Sequence, residues 1–383
     1  MTSEVNKGAT VVVAMSGGVD SSLAAVLLKE RGYEVIGVTM HLWDYESYGG
    51  NIHYESACCS VEAMNDARAV CQAWKIPHYV LDLREEFDRE VVGNFAAEYL
   101  SGRTPNPCVV CNQKIKWEVL FRKAKRLGAS YLATGHYARI ELDPKKRRYL
   151  LKRGVDENRD QSYFLWILTQ NQLEQTLFPM GSLTKEQTRT MAREHCLKVA
   201  EKSDSQEICF IPDNNYRRFL KDLIARTRGQ QKGTSSPQLR DGPIKDRFGK
   251  VIGTHGGYPF YTIGQRKGLG IAAERPLYVT RIDPEENAVY VGPDEALYDH
   301  SLTATHLNWI SIPHLKGPLR CTSKIRHRHT PAEATLSATS VDRIRLRFEQ
   351  PQRAITPGQS VVFYDGEVVI GGGVIEPAAE GAK

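Results

Sequence analysis

Hydrophobic and polar positions fall into two textures along the chain. Through the first half, short β-branched runs stand between longer stretches with helical spacing; later, apolar positions alternate singly with polar ones between Gly, Pro and Asp. Residues 10–13, Thr-Val-Val-Val, read as a buried parallel strand. Residues 23–29, Leu-Ala-Ala-Val-Leu-Leu-Lys, form a strong helix former closed by Gly32. The pattern predicts a second parallel strand over 34–40 and a polar, aromatic surface loop over 41–56, at the edge where open α/β sheets bind ligands. A helix over 60–75, a strand over 78–82, a helix over 84–100 and a strand over 129–134 continue the alternation. The expected fold class is therefore α/β, a doubly wound parallel sheet. A hairpin over 140–153 turning at Asp143-Pro144, then helices over 161–168 and 184–197, complete that domain near Pro212.

From Arg217 the texture changes. Residues 230–247 are rich in Gly, Ser, Pro and charge and read as a linker or long loop. Segments at 276–283, 288–291, 323–328, 343–348 and 360–364 predict small antiparallel sheets, the last of them a barrel. The Pro/Ala/Gly-rich tail after Glu376 reads as disordered. The expected organisation is a catalytic domain over 1–215, a small β-rich central domain or linker over 216–297 and a C-terminal β-barrel over 298–383.

Composition narrows the class. With 383 residues the chain has room for two or three cores, and at 41% hydrophobic and 25% charged it reads as a soluble globular protein. No apolar run approaches the ~18–20 residues of a membrane span, and the first residues lack a signal-peptide pattern. Eight cysteines in that setting indicate a reducing cytoplasm and thiols rather than a disulfide scaffold. The net charge of +6 is unevenly placed, with basic clusters at 145–148 joined by Lys152-Arg153, at Arg217-Arg218 and over 316–328. One such run is an ordinary solvated face, but several together suit a polyanionic partner.

Between the first strand and helix lies Ala14-Met15-Ser16-Gly17-Gly18-Val19-Asp20-Ser21-Ser22. The glycines allow a tight turn and close approach of backbone to a phosphate oxygen, while free N–H groups, the positive helix end and Ser hydroxyls face the anion. The Gly-Lys-Ser/Thr of the Walker loop is missing, which argues against a kinase or GTPase. The stretch resembles the pyrophosphate loop of the ATP-pyrophosphatase (PP-loop) superfamily, whose members adenylate a substrate oxygen.

The other informative stretch is Thr104-Pro105-Asn106-Pro107-Cys108-Val109-Val110-Cys111-Asn112, followed by apolar residues at helical spacing. A helix starting near Cys108 puts both thiols in its first turn, where the dipole and Lys114 and Lys116 favour thiolate. A C-x-x-C is also a zinc half-site or a redox pair, although no second C-x-x-C or His pair follows. Cys209 closes Ser205-Gln206-Glu207-Ile208-Cys209. Cys58, Cys59, Cys71, Cys196 and Cys321 default to packing or chance.

These motifs, with Thr134-Gly135-His136-Tyr137-Ala138, Asp160-Gln161-Ser162-Tyr163-Phe164-Leu165, Tyr261-Thr262-Ile263-Gly264-Gln265-Arg266 and Thr356-Pro357-Gly358-Gln359, occur in an order that resembles the tRNA-specific 2-thiouridylase family over nearly the whole chain. The resemblance implies ATP-dependent adenylation of the C2 oxygen of the wobble uridine U34, then its replacement by sulfur to give 2-thiouridine, AMP and pyrophosphate. Carried over by position, it implies ATP binding by Ala14, Met15, Ser16, Gly17, Gly18, Val19, Asp20, Ser21, Met40 and Gly135. Cys209 would carry the persulfide sulfur and Cys111 would attack it to leave a disulfide. Asn106, Pro107 and Cys108 would face the target base; His136, Arg159, Asp160, Gln161, Arg326, His327 and Gln359 would contact tRNA. Lys324, Arg326 and Arg328 would share one face of a strand over 324–328 by period two.

In many members an Asp proposed as a base stands where this chain has Cys108. Cys108, Cys111 and Cys209 could instead hold three irons of a [4Fe–4S] cluster with the fourth open for sulfide. The expected cofactors are thus ATP and Mg2+, with a [4Fe–4S] cluster as an alternative. The expected partners of a cytoplasmic monomer are the tRNA anticodon stem-loop and a sulfur donor, either a relay protein or a cysteine desulfurase, with no membrane. Rival functions are an amidating or ligating PP-loop enzyme, and a non-catalytic iron–sulfur or RNA-binding protein.

Overall fold

In the computed structural model the described residues are 8–44, 60–203, 208–230 and 239–378. They divide into two units, one formed by 1–92, 107–219 and 367–369, the other by 93–106, 220–366 and 370–383. The loop expected over 41–56, Cys58, Cys59, Ser205 to Glu207 and the end of the tail lie wholly or mostly outside the described residues.

The first unit is built as the apolar runs dictate. It contains β1 (Thr10–Ala14), α1 (Val19–Glu30), β2 (Glu34–His41), α2 (Val61–Ala73) and β3 (His78–Asp82). Then come α3 (Arg84–Phe87, continuing as a π-helix over Asp88–Val92) and α4, which runs Pro107–Val110, Cys111–Leu120 and Phe121–Arg126. The chain continues with β4 (Tyr131–Ala133), the hairpin β5 (Ala138–Asp143) and β6 (Arg148–Arg153), β7 (Thr176–Leu177) and α5 (Lys185–Glu194). The sheet order is β3-β2-β1-β4-β7, all parallel. Because α1 covers β1, both are buried almost throughout: Val11, Val13, Leu23, Ala24 and Val26 are inaccessible. α2 and α5 begin on Ser60 and Thr184, whose hydroxyls accept the backbone N–H of Ala63 and Gln187.

The second unit is β-rich. β8 (Gly242–Lys245), β9 (Val251–His255), β10 (Tyr278–Asp283) and β11 (Ala288–Gly292) form a sheet in the order β10-β11-β8-β9. β12 (Tyr298–Trp309), β13 (Leu319–Lys324), β14 (Ala332–Ser340), β15 (Arg343–Arg353), β16 (Ser360–Asp365) and β17 (Val368–Ile375) close into a six-stranded barrel, since β12 pairs with both β15 and β17. Closure removes both sheet edges. Its interior holds Leu336, Ile344, Leu346, Val361 and Phe363. The expected α/β unit with a small β-rich part and a terminal barrel is the fold observed. Among the described residues no helix is long and apolar enough to cross a membrane.

Three expectations need correction. Residues 161–168 are not a helix: only Ser162–Phe164 form a 3-10 turn. Most of their side chains are buried, so no polar face is left for a helix, and the buried Asp160 carboxylate accepts the Ser162 N–H and hydroxyl instead. The strand expected over 324–328 ends at Lys324, and the His329 N–H closes a turn onto the Arg326 carbonyl. Lys324, Arg326 and Arg328 therefore form no period-two stripe. Within the supposed linker, Gly242–Lys245 is a strand paired with β9 and β11.

Candidate active site

The Ser-Gly-Gly turn closes on itself. The Ser16 N–H donates to Ser21 Oγ at 3.1 Å, the two hydroxyls lie 3.2 Å apart, and Ser21 Oγ donates to the Gly18 carbonyl at 3.2 Å. Gly17 takes φ +70°, and a Cβ there would come within 2.1 Å of the Ala63 carbonyl oxygen. Both the left-handed backbone and the approach of α2 therefore require glycine. Gly18, the N-cap of α1, offers no side chain to the helix end. The first N–H groups of α1 are thus left for an external acceptor, the arrangement that binds phosphates. Gly135, just after β4, packs against this turn: a Cβ would lie 2.7 Å from the Ser21 nitrogen. Ala14 pairs with Val38, two residues before Met40, so both strands end beside the turn.

One residue escaped the sequence reading. Lys185, 8% exposed at the start of α5, places Nζ 2.8 and 2.9 Å from the two Asp20 carboxylate oxygens. The Tyr137 hydroxyl donates to Asp20 at 2.8 Å and approaches Thr188 Oγ1 at 3.0 Å. The loop carboxylate, the residue after His136 and the α5 N-terminus are thereby joined in one partly buried network. The only signal in the sequence is a lysine directly after a capping Thr, on an otherwise amphipathic helix.

Both cysteine segments rest on α3. Helix α4 starts at Pro107, packs along α3 and places Cys108 in its first turn, exposed, with Cys111 half-buried one turn on. Asn112, 3% exposed, donates to the Phe164 carbonyl at 3.0 Å and fixes the helix rotation. Half-buried Cys209 precedes Phe210, whose ring sits edge-on at 5.6 Å to the buried Phe87 of α3. Cys71 and Cys321 are buried, and burial pushes each thiol up to about 11, as expected of packing residues. Among the described residues no three His, Cys, Asp or Glu side chains gather in a way that could hold a metal ion.

Several expected contacts have structural partners. The Asp160 carboxylate, 6% exposed, accepts the Gly154 N–H as well as Ser162. Gln161 Oε1 accepts the Tyr137 N–H, while the Gln161 N–H donates to the Tyr137 carbonyl. Arg159, at the same bend, is half-buried. His136 Nδ1 meets Thr134 Oγ1 at 2.6 Å, its ring lies 5.8 Å from Trp117, and Lys116 Nζ stands 3.5 Å from Nε2. Desolvation, then the Lys116 charge, holds this imidazole neutral, well below its ordinary range. Arg326 donates to the Arg353 carbonyl at 3.1 Å, and His327 is half-buried in the same bend. Gln359 donates to the Thr104 and Pro105 carbonyls.

Comparison with known proteins gives a consistent picture. A family model described as a tRNA methyl transferase HUP domain matches residues 9–213, a companion PRC-barrel domain 219–293 and an aminomethyltransferase beta-barrel domain 299–375. The tRNA-specific 2-thiouridylase MnmA of Heliobacterium modesticaldum is 52% identical over 367 residues, 96% of this chain and 92% of that protein. That of Salinibacter ruber is 50% identical over 97% of this chain and 95% of its own length. Among solved structures, the U34-tRNA thiolase NcsA of Methanococcus maripaludis with its [4Fe-4S] cluster aligns at 17% identity over 61% of this chain and 71% of its own, with a TM-score of 0.35. A likeness at that level has no bearing on the chemistry of this site.

Proposed function

Since the chain belongs to the tRNA-specific 2-thiouridylase family and so catalyses ATP-dependent 2-thiolation of tRNA, we propose that the Ser-Gly-Gly turn, Cys111 and Cys209 divide the reaction between them. What carries this reading is the turn itself, a glycine-built cradle whose helix N-terminus has no side-chain cap. Ala14 to Ser21 hold the triphosphate, with Met40 and Gly135 beside the adenosine. Mg2+ brought with ATP would be held by Asp20 and phosphate oxygens, a donor set that suits a cation usually bound by one or two carboxylates plus phosphates, and it would neutralise phosphate charge.

The C2 oxygen of U34 attacks the α-phosphorus and pyrophosphate leaves. A urea-type oxygen, a poor leaving group, thereby departs as AMP. The terminal sulfur of a Cys209 persulfide bonds to C2 as AMP is expelled. The Cys111 thiolate then attacks the inner sulfur, the S–S bond of the persulfide breaks, and its electron pair stays on the sulfur now bound to C2. The two cysteines are left as a disulfide, to be reduced by an external thiol. The sulfur comes from a cysteine desulfurase or a relay protein, and the chain works as a monomer in the cytoplasm. Asn106 to Cys108 face the base, with the bend at Arg159 and the Arg326–His327 turn reaching tRNA. Since the described residues gather no three-donor set for a metal ion, no step is assigned to an iron–sulfur cluster; an anaerobic iron and sulfide assay that found a stoichiometric cluster would replace the persulfide route.

Cys209→Ser separates the two half-reactions. We expect tRNA-dependent pyrophosphate release within about threefold of wild type while 2-thiouridine formation drops by about 1,000-fold or more. Full turnover of ATP and tRNA by this variant and by wild type without any 2-thiouridine would instead point to amidating or ligating chemistry that needs no cysteine, and pyrophosphate release that depends on tRNA excludes a non-catalytic binding protein.

A further inference from the structure

Residues 103–105 lead into Asn106, Pro107 and Cys108, and several of their polar holds come from the barrel. The Thr104 N–H donates to the Pro357 carbonyl at 2.8 Å. The Gln359 side-chain amide donates to two carbonyls at once, Thr104 at 3.1 Å and Pro105 at 2.9 Å. Arg103, paired with Glu98 at 2.8 Å, also reaches Glu376 at 3.2 Å, and Glu376 accepts the Thr305 hydroxyl at 2.7 Å. Between these holds sits Gly358, buried at φ +88°, where a Cβ would come within 2.8 Å of the Thr104 oxygen and 2.9 Å of the Glu98 carboxylate. The turn is itself pinned to the end of β17: the Gly358 N–H donates to the Ile375 carbonyl and the Ile375 N–H to the Gln359 carbonyl, each at 2.9 Å.

This arrangement answers a specific need. Prolines at 105 and 107 remove two backbone donors, so the segment cannot build a ladder of its own. With two donors fewer, its carbonyls carry more of its orientation, and these need a donor from elsewhere. A primary amide supplies two N–H groups from one nitrogen. A carboxylate of the same shape would set oxygen against oxygen at both positions.

We propose that Gln359 is a positioning residue for thiolation: its amide, with Gly358 and the Arg103–Glu376 pair, orients the chain entering Asn106–Cys108 before any tRNA is bound. The barrel then acts on the chemistry through this segment, in addition to any grip on RNA. The proposal rests on the reading that Asn106–Cys108 face the target base.

The test uses the full-length enzyme carrying Gln359→Glu. Without tRNA or ATP, amide hydrogen exchange over residues 103–108 should be about tenfold faster than in wild type at pH 8, the effect of losing these bonds. The ratio should fall back towards one near pH 5, where the new carboxyl becomes protonated and donates again. The tRNA dissociation constant should stay within about twofold while kcat for thiolation drops about tenfold or more. Glu376→Gln should loosen the same amides in the same direction by a smaller factor, and it supplies the answer if the first variant does not fold. An exchange ratio of one at pH 8 with weakened tRNA binding would make Gln359 an RNA contact only and overturn the proposal. Faster exchange with unchanged kcat would show that Gln359 holds the segment without serving thiolation, and would overturn the proposal together with the placement of Asn106–Cys108 at the base.

Discussion

The Ser-Gly-Gly turn and the Pro-Asn-Pro turn both precede a helix, yet they are held in opposite ways. In the first, Ser16, Gly18 and Ser21 close hydrogen bonds within six residues of one another. In the second, the carbonyls of Thr104 and Pro105 are met by a side chain about 250 positions later, at Gln359. A turn that satisfies its own polar groups has the same geometry wherever the strand and helix around it form. One that borrows its donors has its geometry only when the remote element is folded. The first is therefore suited to a rigid anion cradle, and the second to a segment set by the state of another part of the molecule.

The contrast can be broken most sharply at Gly17. Gly17→Ala must place a Cβ at positive φ against the Ala63 carbonyl, and we expect a loss of about 3 kcal/mol or more, with pyrophosphate release abolished. A thermal unfolding midpoint and turnover near wild type would show that the turn is not locally determined. Next comes Lys185→Met, which leaves the Asp20 carboxylate without its cation. Because Asp20 is 30% exposed, the loss should be about 2 kcal/mol, less than for a fully buried pair. Pyrophosphate release should drop about 100-fold, more than for Tyr137→Phe, and a turnover assay ranks the two.

An effect confined to acid pH is expected in the barrel. Burial, with Arg326 and Lys324 adding their charge, lowers the His329 imidazole to about 4, although Gln352 Oε1, accepting from Nε2 at 3.0 Å, works in the opposite direction. The unfolded chain takes up this proton near 6.5, the folded one only near 4. Stability should be full above 6.5 and fall by about 3 kcal/mol as the pH drops towards 4. Unfolding curves at several pH values should show this slope, and His329→Gln should remove it. The smallest effect is at exposed Arg328. Arg328→Ala should weaken tRNA binding about threefold and lower the salt dependence by about one unit of slope. An unchanged slope would take this turn out of the RNA interface.

The same distinction explains which elements could be read in advance. β1 and α1 follow from apolar runs that are buried almost throughout, and the start of α5 follows from its capping Thr184. The helix start at Pro107 follows likewise, because proline at a first helical position needs no donor. By contrast, the spacing over 161–168 resembles a helix, but Asp160 and burial on all sides turned it into successive tight bends. The alternation at 324–328 looked like a strand, but pairing ended at Lys324. Lys185 was indistinguishable from any lysine in a first helical turn until folding brought Asp20 to it.

The sequence alone determined the strand–turn–helix cradle, the family resemblance and the chemical types available: glycines and hydroxyls for phosphate, and thiols for sulfur. These depend on neighbours a few residues apart, whose geometry the local backbone sets. Tertiary structure alone decided which carboxylate Lys185 neutralises, and that Gln359 orients the Pro-Asn-Pro entry. Those pairs lie 165 and 254–255 residues apart in sequence. Hydrogen bonds and ion pairs act over a few ångströms, so such partners meet only when the sheet and the barrel are closed.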